Sequence, residues 1–226
     1  MRIVFVRHGE PNYEKDCLTP LGKLQAQAAA ERLAEEGISA VYSSPQGRAR
    51  TTAEIAAARL GISPVQILPG MHEIAWGADD GTEMPHGGNP WSLADDMMRE
   101  GFDLTRSDWR NHPLFQNNRA TSEAARVANE TDAWLSQLGY TRKGPYYLCE
   151  QTHDAEKAVV LFSHGGSSTA VLARLLNLPF PYLCATLHMP FTGITILRLD
   201  HKAGDCSLPR LELAGDGRHI HGLALP

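Results

Sequence analysis

Apolar and polar positions change period repeatedly along the first seventy or so residues. Ile3 to Val6 is a continuous apolar run rich in β-branched residues, the pattern of a strand buried on both faces. Helical spacing follows. Thr19 suits an N-cap and Pro20 a first helical position, and the alanine-rich stretch from Leu21 to Glu36 predicts a helix stopped at Gly37. Ala40 to Ser43 predicts a second short strand. Beyond Ser44-Pro45, the residues Ala53, Ala56, Ala57 and Leu60 share one helical face, and Gly61 ends that helix. Val65 to Leu68 predicts a third strand. Strands and helices alternating in this way imply a parallel sheet.

From about Gly77 to Asn118 the periodicity fades and Gly, Asp, Asn, Pro and His crowd together. This predicts an excursion over the sheet edge with one short helix from Trp91 to Glu100. Loops of that length inside compact domains serve as lids or walls. Ala124, Val127, Ala128, Trp134, Leu135 and Leu138 then mark an amphipathic helix. Tyr146–Glu150 and Ala158–Phe162 read as a hairpin about the polar turn Thr152–Glu156, its second strand in the sheet core. Ser163-His164-Gly165-Gly166 ends that strand and opens a helix running to about Leu176. Thr192–Leu199 and Leu208–Leu213 predict two late strands, antiparallel across the Gly204 turn. Neither a repeat nor a linker interrupts the chain. The expectation is one α/β domain over residues 1–226, with an inserted cap over about 77–118.

Composition narrows the function classes. A chain of 226 residues can bury one sizeable core, and 42% hydrophobic with 21% charged residues excludes wholesale disorder. A net charge of −5 argues against a nucleic-acid partner, so an anion site requires a local concentration of Arg and His. Cys17, Cys149, Cys184 and Cys206 form no CxxC pair. This disfavours a zinc ribbon and points to a reduced, cytoplasmic setting. The N-terminal apolar run is too short for a signal peptide, and no window offers about 18 uninterrupted apolar residues. A soluble protein without membrane contact is expected.

Candidate chemistry gathers at the predicted strand ends. Arg7-His8 follows the first strand, Arg48 lies in the first turn of the second helix, Glu73 stands past the third strand, and His164 precedes a glycine-rich helix start. Carboxyl ends of parallel strands share one edge, where open α/β sheets bind ligands. Taken singly, these are a solvated Arg, a hydrogen-bonded His and a loop carboxylate. Converging, two arginines, two histidines and a carboxylate match a phosphoryl group. A cation beside a helix N-terminus makes sense when an anion sits between the two, and the amides at Gly165-Gly166 would cradle one. His8 would attack as a neutral imidazole, its Nδ1–H held by a backbone carbonyl and its Nε2 free.

Five segments together resemble, in order, the histidine phosphatase superfamily, the phosphoglycerate mutase-like proteins. They are Arg7-His8-Gly9-Glu10, Leu18-Thr19-x-x-Gly22-x-x-Gln25-Ala26, Tyr42-Ser43-Ser44-Pro45-x-x-Arg48-Ala49-x-x-Thr52-Ala53, His72-Glu73-Ile74-x-x-Gly77 and Phe162-Ser163-His164-Gly165-Gly166. The resemblance implies a three-layer α/β/α sandwich with a mostly parallel central sheet. It implies His8 as the nucleophile that forms a phosphohistidine, and Arg7, Arg48 and His164 as the clamp on the phosphoryl oxygens. Glu73 would protonate the leaving oxygen and later activate water. A small phosphorylated substrate, inorganic phosphate as product, and no metal or other cofactor are implied as well.

The chain departs from the family pattern in places. The segment after the first motif is shortened to Pro11-Asn12-Tyr13, leaving Asn12 and Gly165 as further candidate substrate contacts. Asp79-Asp80-Gly81 replaces Trp-Glu-Gly, and Thr121-Ser122-Glu123 stands near the usual Gly-Glu-Ser.

A phosphoglycerate mutase would need extra cations for an acidic substrate. The loop with Asp79, Asp80 and Glu83 supplies none, which favours a hydrolase. A phospho-ligand-binding module without catalysis would lack a member of the five-residue set, and all five are present. Gly165-Gly166-Ser167-Ser168 lacks the spacing of a serine nucleophile elbow. His219-Ile220-His221 reads as an extended tail rather than a metal pair. Trp76, Trp91, Trp109, Tyr146 and Tyr147 read as core or loop anchors. If Trp76 or Trp91 lines the pocket, the substrate carries an apolar group. The assembly state is left open, a homodimer included.

Overall fold

The computed structural model describes residues 1–223, so the last three positions of the expected domain lie outside the described residues. In chain order the first elements are β1 (Arg2–Arg7), β2 (Pro11–Asn12), β3 (Cys17–Leu18), α1 (Pro20–Leu33), β4 (Ile38–Ser43), α2 (Gly47–Leu60) and β5 (Gln66–Ile67). Next come α3 (Pro90–Arg99), α4 (Pro113–Gln116), α5 (Arg119–Gln137), β6 (Tyr140–Lys143) and β7 (Tyr146–Cys149). The chain continues with β8 (Ala158–Ser163), α6 (Gly165–Leu176), α7 (Phe180–Thr186), β9 (Ile194–Arg198), β10 (Cys206–Ser207) and β11 (Arg210–Asp216).

The central sheet has the order β11-β9-β1-β8-β4-β5. The strands β1, β8, β4 and β5 run parallel; at the other side β9 pairs antiparallel with β1, and β11 pairs antiparallel with β9. Period-2 alternation splits the sheet into two faces. Val4, Val6, Val41, Val160 and Phe162 face Ala30, Leu33, Ala53, Ala56 and Ala57 of α1 and α2. Ile3, Phe5, Tyr42, Val159 and Leu161 face α5 and α6, where Trp134 meets Phe5 and Tyr42 edge-on at 6.3 and 5.3 Å between centroids. The alanines on α1 and α2 let those helices sit close to the sheet and to each other. The result is the three-layer α/β/α sandwich expected from the resemblance.

Thr19 caps α1 as expected, its Oγ1 accepting from the Gly22 N–H at 3.0 Å. The helix ends at Leu33, short of Gly37. The third strand is only Gln66–Ile67, paired with Tyr42 and Ser43, and the Leu68 N–H closes the ladder on Ser43 O at 2.8 Å before the chain turns into Pro69.

The expected hairpin is not formed. β7 pairs instead with β6 and β10 in a separate sheet. Gly144-Pro145 closes a tight turn that sets Lys143 opposite Tyr146, and both edges of β8 are already taken by β1 and β4. The late strands β9 and β11 do pair antiparallel. His219 lies in a short turn, Arg218–Ile220, with Nε2 3.0 Å from the Thr192 hydroxyl, rather than in an extended tail.

Residues 77–118 are more ordered than their composition promised. Leu93, Met97, Trp109 and Phe115 are buried with the core beneath α5 and α6. The ends of the excursion are tied together. The Arg119 N–H donates to Gly77 O at 2.9 Å, and the Asn118 side-chain amide donates to Gly88 O at 2.9 Å.

Candidate active site

Pairing of β1 with β8 sets Arg7 opposite Ser163, so His8 and His164 emerge side by side one residue beyond. Their rings lie 5.1 Å apart, and both are fully buried. The backbone around His8 is pinned on both sides. Its N–H donates to Ser163 O at 2.9 Å, and its carbonyl accepts from the Thr192 N–H at 3.2 Å. The Gly9 N–H donates to Thr52 Oγ1 at 3.1 Å.

Glycines in the motifs permit this packing. A Cβ on Gly22 would stand 2.1 Å from Glu10 O, so only glycine lets α1 press against the loop carrying His8.

His8 Nδ1 is 2.7 Å from Gly9 O. A carbonyl only accepts, so Nδ1 carries the proton and Nε2 keeps its lone pair. Arg48 Nε donates to that Nε2 at 3.3 Å. Burial is the main force lowering the His8 pKa, the Arg48 and Arg7 charges add to it, and the Gly9 hydrogen bond opposes them. The outcome is about 3. The imidazole is therefore neutral at neutral pH. Burial, followed by the charges of His8, Arg48 and Arg7, also drives His164 well below its ordinary value. His164 Nε2 lies 2.7 Å from Ser44 Oγ, while its Nδ1 is buried without a partner.

This arrangement has a stability consequence. A histidine with a depressed folded-state pKa is bound by fewer protons than in the unfolded chain, so its contribution is fully present above about 6.5. That contribution is lost as pH falls from 6.5 toward the folded value of about 3. The expected result is a fall in the thermal midpoint over this window that is shallower in His8→Gln, with the difference capped at about 4–5 kcal/mol. Identical slopes in the two proteins would contradict it.

Glu73 comes from the loop after β5. Its Oε1 accepts from the Ile74 and Ser167 N–H groups at 2.9 and 2.8 Å, and its Oε2 from the Gly166 N–H at 3.2 Å. Burial raises its pKa against the pull of these donors. A Cβ on Gly166 would stand 2.7 Å from Glu73 Oε1 and 2.4 Å from Ile74 Cγ1, so this glycine makes room for the carboxyl. Arg7 donates through Nη1 to Met189 O at 2.8 Å, lies 4.3 Å over the Phe191 ring, and keeps its Nε unpaired. Gly165 sits beside the Arg7 guanidinium. Asn12 is in β2, where its Oδ1 accepts from the Lys15 N–H at 3.1 Å.

Sequence reasoning missed Asp16. Its carboxylate accepts from the Gly47 N–H at 2.6 Å and pairs with Arg48 Nη1 at 2.5 Å, at the N-terminus of α2. Burial alone would raise its pKa, yet the Gly47 N–H and the Arg48 guanidinium hold it below the usual carboxylate range. The anion that the position of Arg48 demanded is thus supplied, in the free protein, by a residue far away in sequence.

A cavity of about 440 Å³ is bounded by Arg7, Glu73, Gly165, Tyr13, Trp76 and Trp91. Of the five residues gathered at the carboxyl edge of the parallel sheet, Arg7 and Glu73 line this cavity, while His8, Arg48 and His164 are buried and are not part of its lining. The chain belongs to the histidine phosphatase superfamily (branch 1), whose profile matches residues 3–211. It is similar to a probable phosphoglycerate mutase, GpmB, of Serratia proteamaculans, with 24% identity covering 100% of this chain and 97% of the relative. The native structure of a mycobacterial glucosyl-3-phosphoglycerate phosphatase superposes with a TM-score of 0.65 at 24% identity, covering 95% of this chain and 98% of that one. A phosphoserine phosphatase from Entamoeba histolytica in complex with 3-phosphoglyceric acid gives 0.63 at 21% identity, covering 97% and 98%. These structural likenesses carry the fold.

Proposed function

We propose that the protein hydrolyses phosphomonoesters through a phosphohistidine on His8. The observation that carries this reading is the buried, neutral imidazole whose Nε2 lone pair faces Arg48 and lies beside His164. Nε2 attacks phosphorus as the ester P–O bond breaks, and the Glu73 carboxyl hands its proton to the leaving oxygen. Glu73, now a carboxylate, takes a proton from water. That water attacks phosphorus, the P–N bond breaks, and inorganic phosphate leaves. Arg7 and Arg48 neutralise the phosphoryl charge in place of a metal ion. The Ser44 hydroxyl accepts from the Gln46 N–H at 3.3 Å and is placed to donate to His164 Nε2. His164 would then hold its proton on Nδ1, free to donate to a phosphoryl oxygen.

Hydrolysis is favoured over mutase chemistry by the cavity wall. Among the described residues lining it, Arg7 is the only Lys or Arg, so no second cation waits for a substrate carboxylate. The acting unit is one domain, with residues 77–118 as a cap that brings Trp91 to the cavity. Asn12 and Gly165 are secondary substrate contacts at most.

Rapid quench during turnover of a radiolabelled phosphomonoester tests the reading. Acid-labile, alkali-stable label on the peptide carrying His8 is the expected result. Steady turnover with no such adduct would overturn it.

A further inference from the structure

The aromatic pair in the cavity wall has no part in the chemistry described so far. Trp76 and Trp91 meet edge-on, 5.9 Å between centroids and 86° between planes, and both line the cavity. Trp91 Cζ2 comes within 3.8 Å of where a Gly165 Cβ would be, and Arg7 lies 3.7 Å from the same point. The Trp91 indole edge and the Arg7 guanidinium therefore both pack against Gly165. Glu73 lines the same cavity, which makes this the side that receives the leaving group.

The rest of the wall is apolar in effect. Cys184, Leu187 and Met189 contribute side chains. Thr169 and Thr186 also line it, but their hydroxyl protons are already committed to backbone carbonyls, Gly165 O at 2.8 Å and Tyr182 O at 2.7 Å, so they offer no donor to an anion. The polar donors left over are uncharged or at the edge: the indole N–H groups of Trp76 and Trp91, and Tyr13 and His188 at the exposed rim. The charged lining is one guanidinium and one carboxyl. A carboxylate on the substrate would meet no Lys or Arg beyond Arg7, which is needed by the phosphoryl group.

We infer that this cavity selects phosphomonoesters of uncharged alcohols that carry a flat apolar ring, and discriminates against those that carry a carboxylate. The inference rests on the phosphatase reading for its biological sense. The selectivity itself is a property of binding and is measurable without turnover. An aromatic ring packed against the cavity-facing side of the Trp76–Trp91 pair gains buried area and edge or face contacts, worth about tenfold in affinity.

Two isosteric, non-hydrolysable phosphonates probe the wall directly by calorimetry. One is 3-phenylpropylphosphonate, the analogue of 2-phenylethyl phosphate; the other is 2-amino-4-phosphonobutyrate, the analogue of phosphoserine. The phenyl ligand is expected to bind at least tenfold more tightly. That ratio should fall about tenfold in Trp91→Ala and in Trp76→Ala, and stay within about threefold in Trp91→Phe, which keeps the ring. Thermal midpoints of the variants report whether the fold persists, and the Phe variant keeps the test decisive if the alanine variants unfold. Equal or tighter binding of the amino acid phosphonate overturns the inference. Release of phosphate from the parent esters is read in parallel. Selective binding with no release from any ester would sink the hydrolase reading alone, and release with phosphoserine preferred would sink the selectivity alone.

Discussion

Replacing His8 with alanine is expected to lower kcat/KM for every phosphomonoester by about 10⁵-fold or more, and to abolish the trapped phosphoryl adduct. No neighbour can take over the attack. The Nε2 of His164, the imidazole packed beside His8, is held against Ser44, and His188 sits at the exposed rim of the cavity. The substitution also strips Arg48 Nε of its acceptor, so under the proposed mechanism one clamp residue would lose an orienting contact together with the nucleophile. The fold should survive, because the backbone bonds to Ser163 and Thr192 do not involve the ring. Thermal unfolding checks this, and retention of inorganic phosphate binding separates lost chemistry from lost structure. Activity within tenfold of the parent protein would remove His8 from the mechanism.

Glu73→Gln has the second largest expected effect. It should cost about 10²–10⁴-fold in kcat/KM on alkyl phosphates, the usual worth of a placed general acid. The loss on p-nitrophenyl phosphate should be far smaller, because its leaving group departs without a proton. Glutamine is nearly isosteric, and its single amide oxygen can still accept the Ile74 and Ser167 N–H groups that bond to Oε1, while the 3.2 Å bond from the Gly166 N–H to Oε2 is lost. The pH profile gives the same information with a definite sign. Burial raises the Glu73 pKa, so the acid form persists above the usual carboxylate range. For alkyl esters kcat/KM should then fall as pH rises through that raised value, and the limb should vanish in the Gln variant. An equal loss on both classes of ester would assign Glu73 a structural part only.

Much of this fold was legible because the physics is local. Ile3–Val6 and Ala158–Phe162 are apolar without interruption, and such runs belong in the middle of a sheet covered on both faces. Thr19-Pro20 and Gly61 mark helix ends by capping chemistry that needs no tertiary information. The strand-end positions of Arg7-His8, Arg48, Glu73 and His164 then follow from parallel topology.

What escaped was non-local. β7 looked like a partner for β8 because only a polar turn separates them in sequence, yet the free edge that receives it belongs to β6. Asp16 carries no sign of its importance until Gly47 and Arg48 are folded against it. Residues 77–118 looked loop-like because their helices are short and start at proline, and their burial comes from packing beneath α5 and α6 rather than from any period.

The position of β1 in the sheet order has a consequence for the making of the protein. Among the described strands of this sheet, β1 is made before the others yet is central, and its two neighbours, β8 and β9, come much later in the chain. Until residues 158–198 have left the ribosome, Ile-Val-Phe-Val has no strand to lie against and must be kept from other chains. His8 and His164 likewise meet only when the register of β1 against β8 is set. A newly made chain therefore brings these side chains together late and all at once, and a fragment that stops before β8 has His8 without His164 beside it.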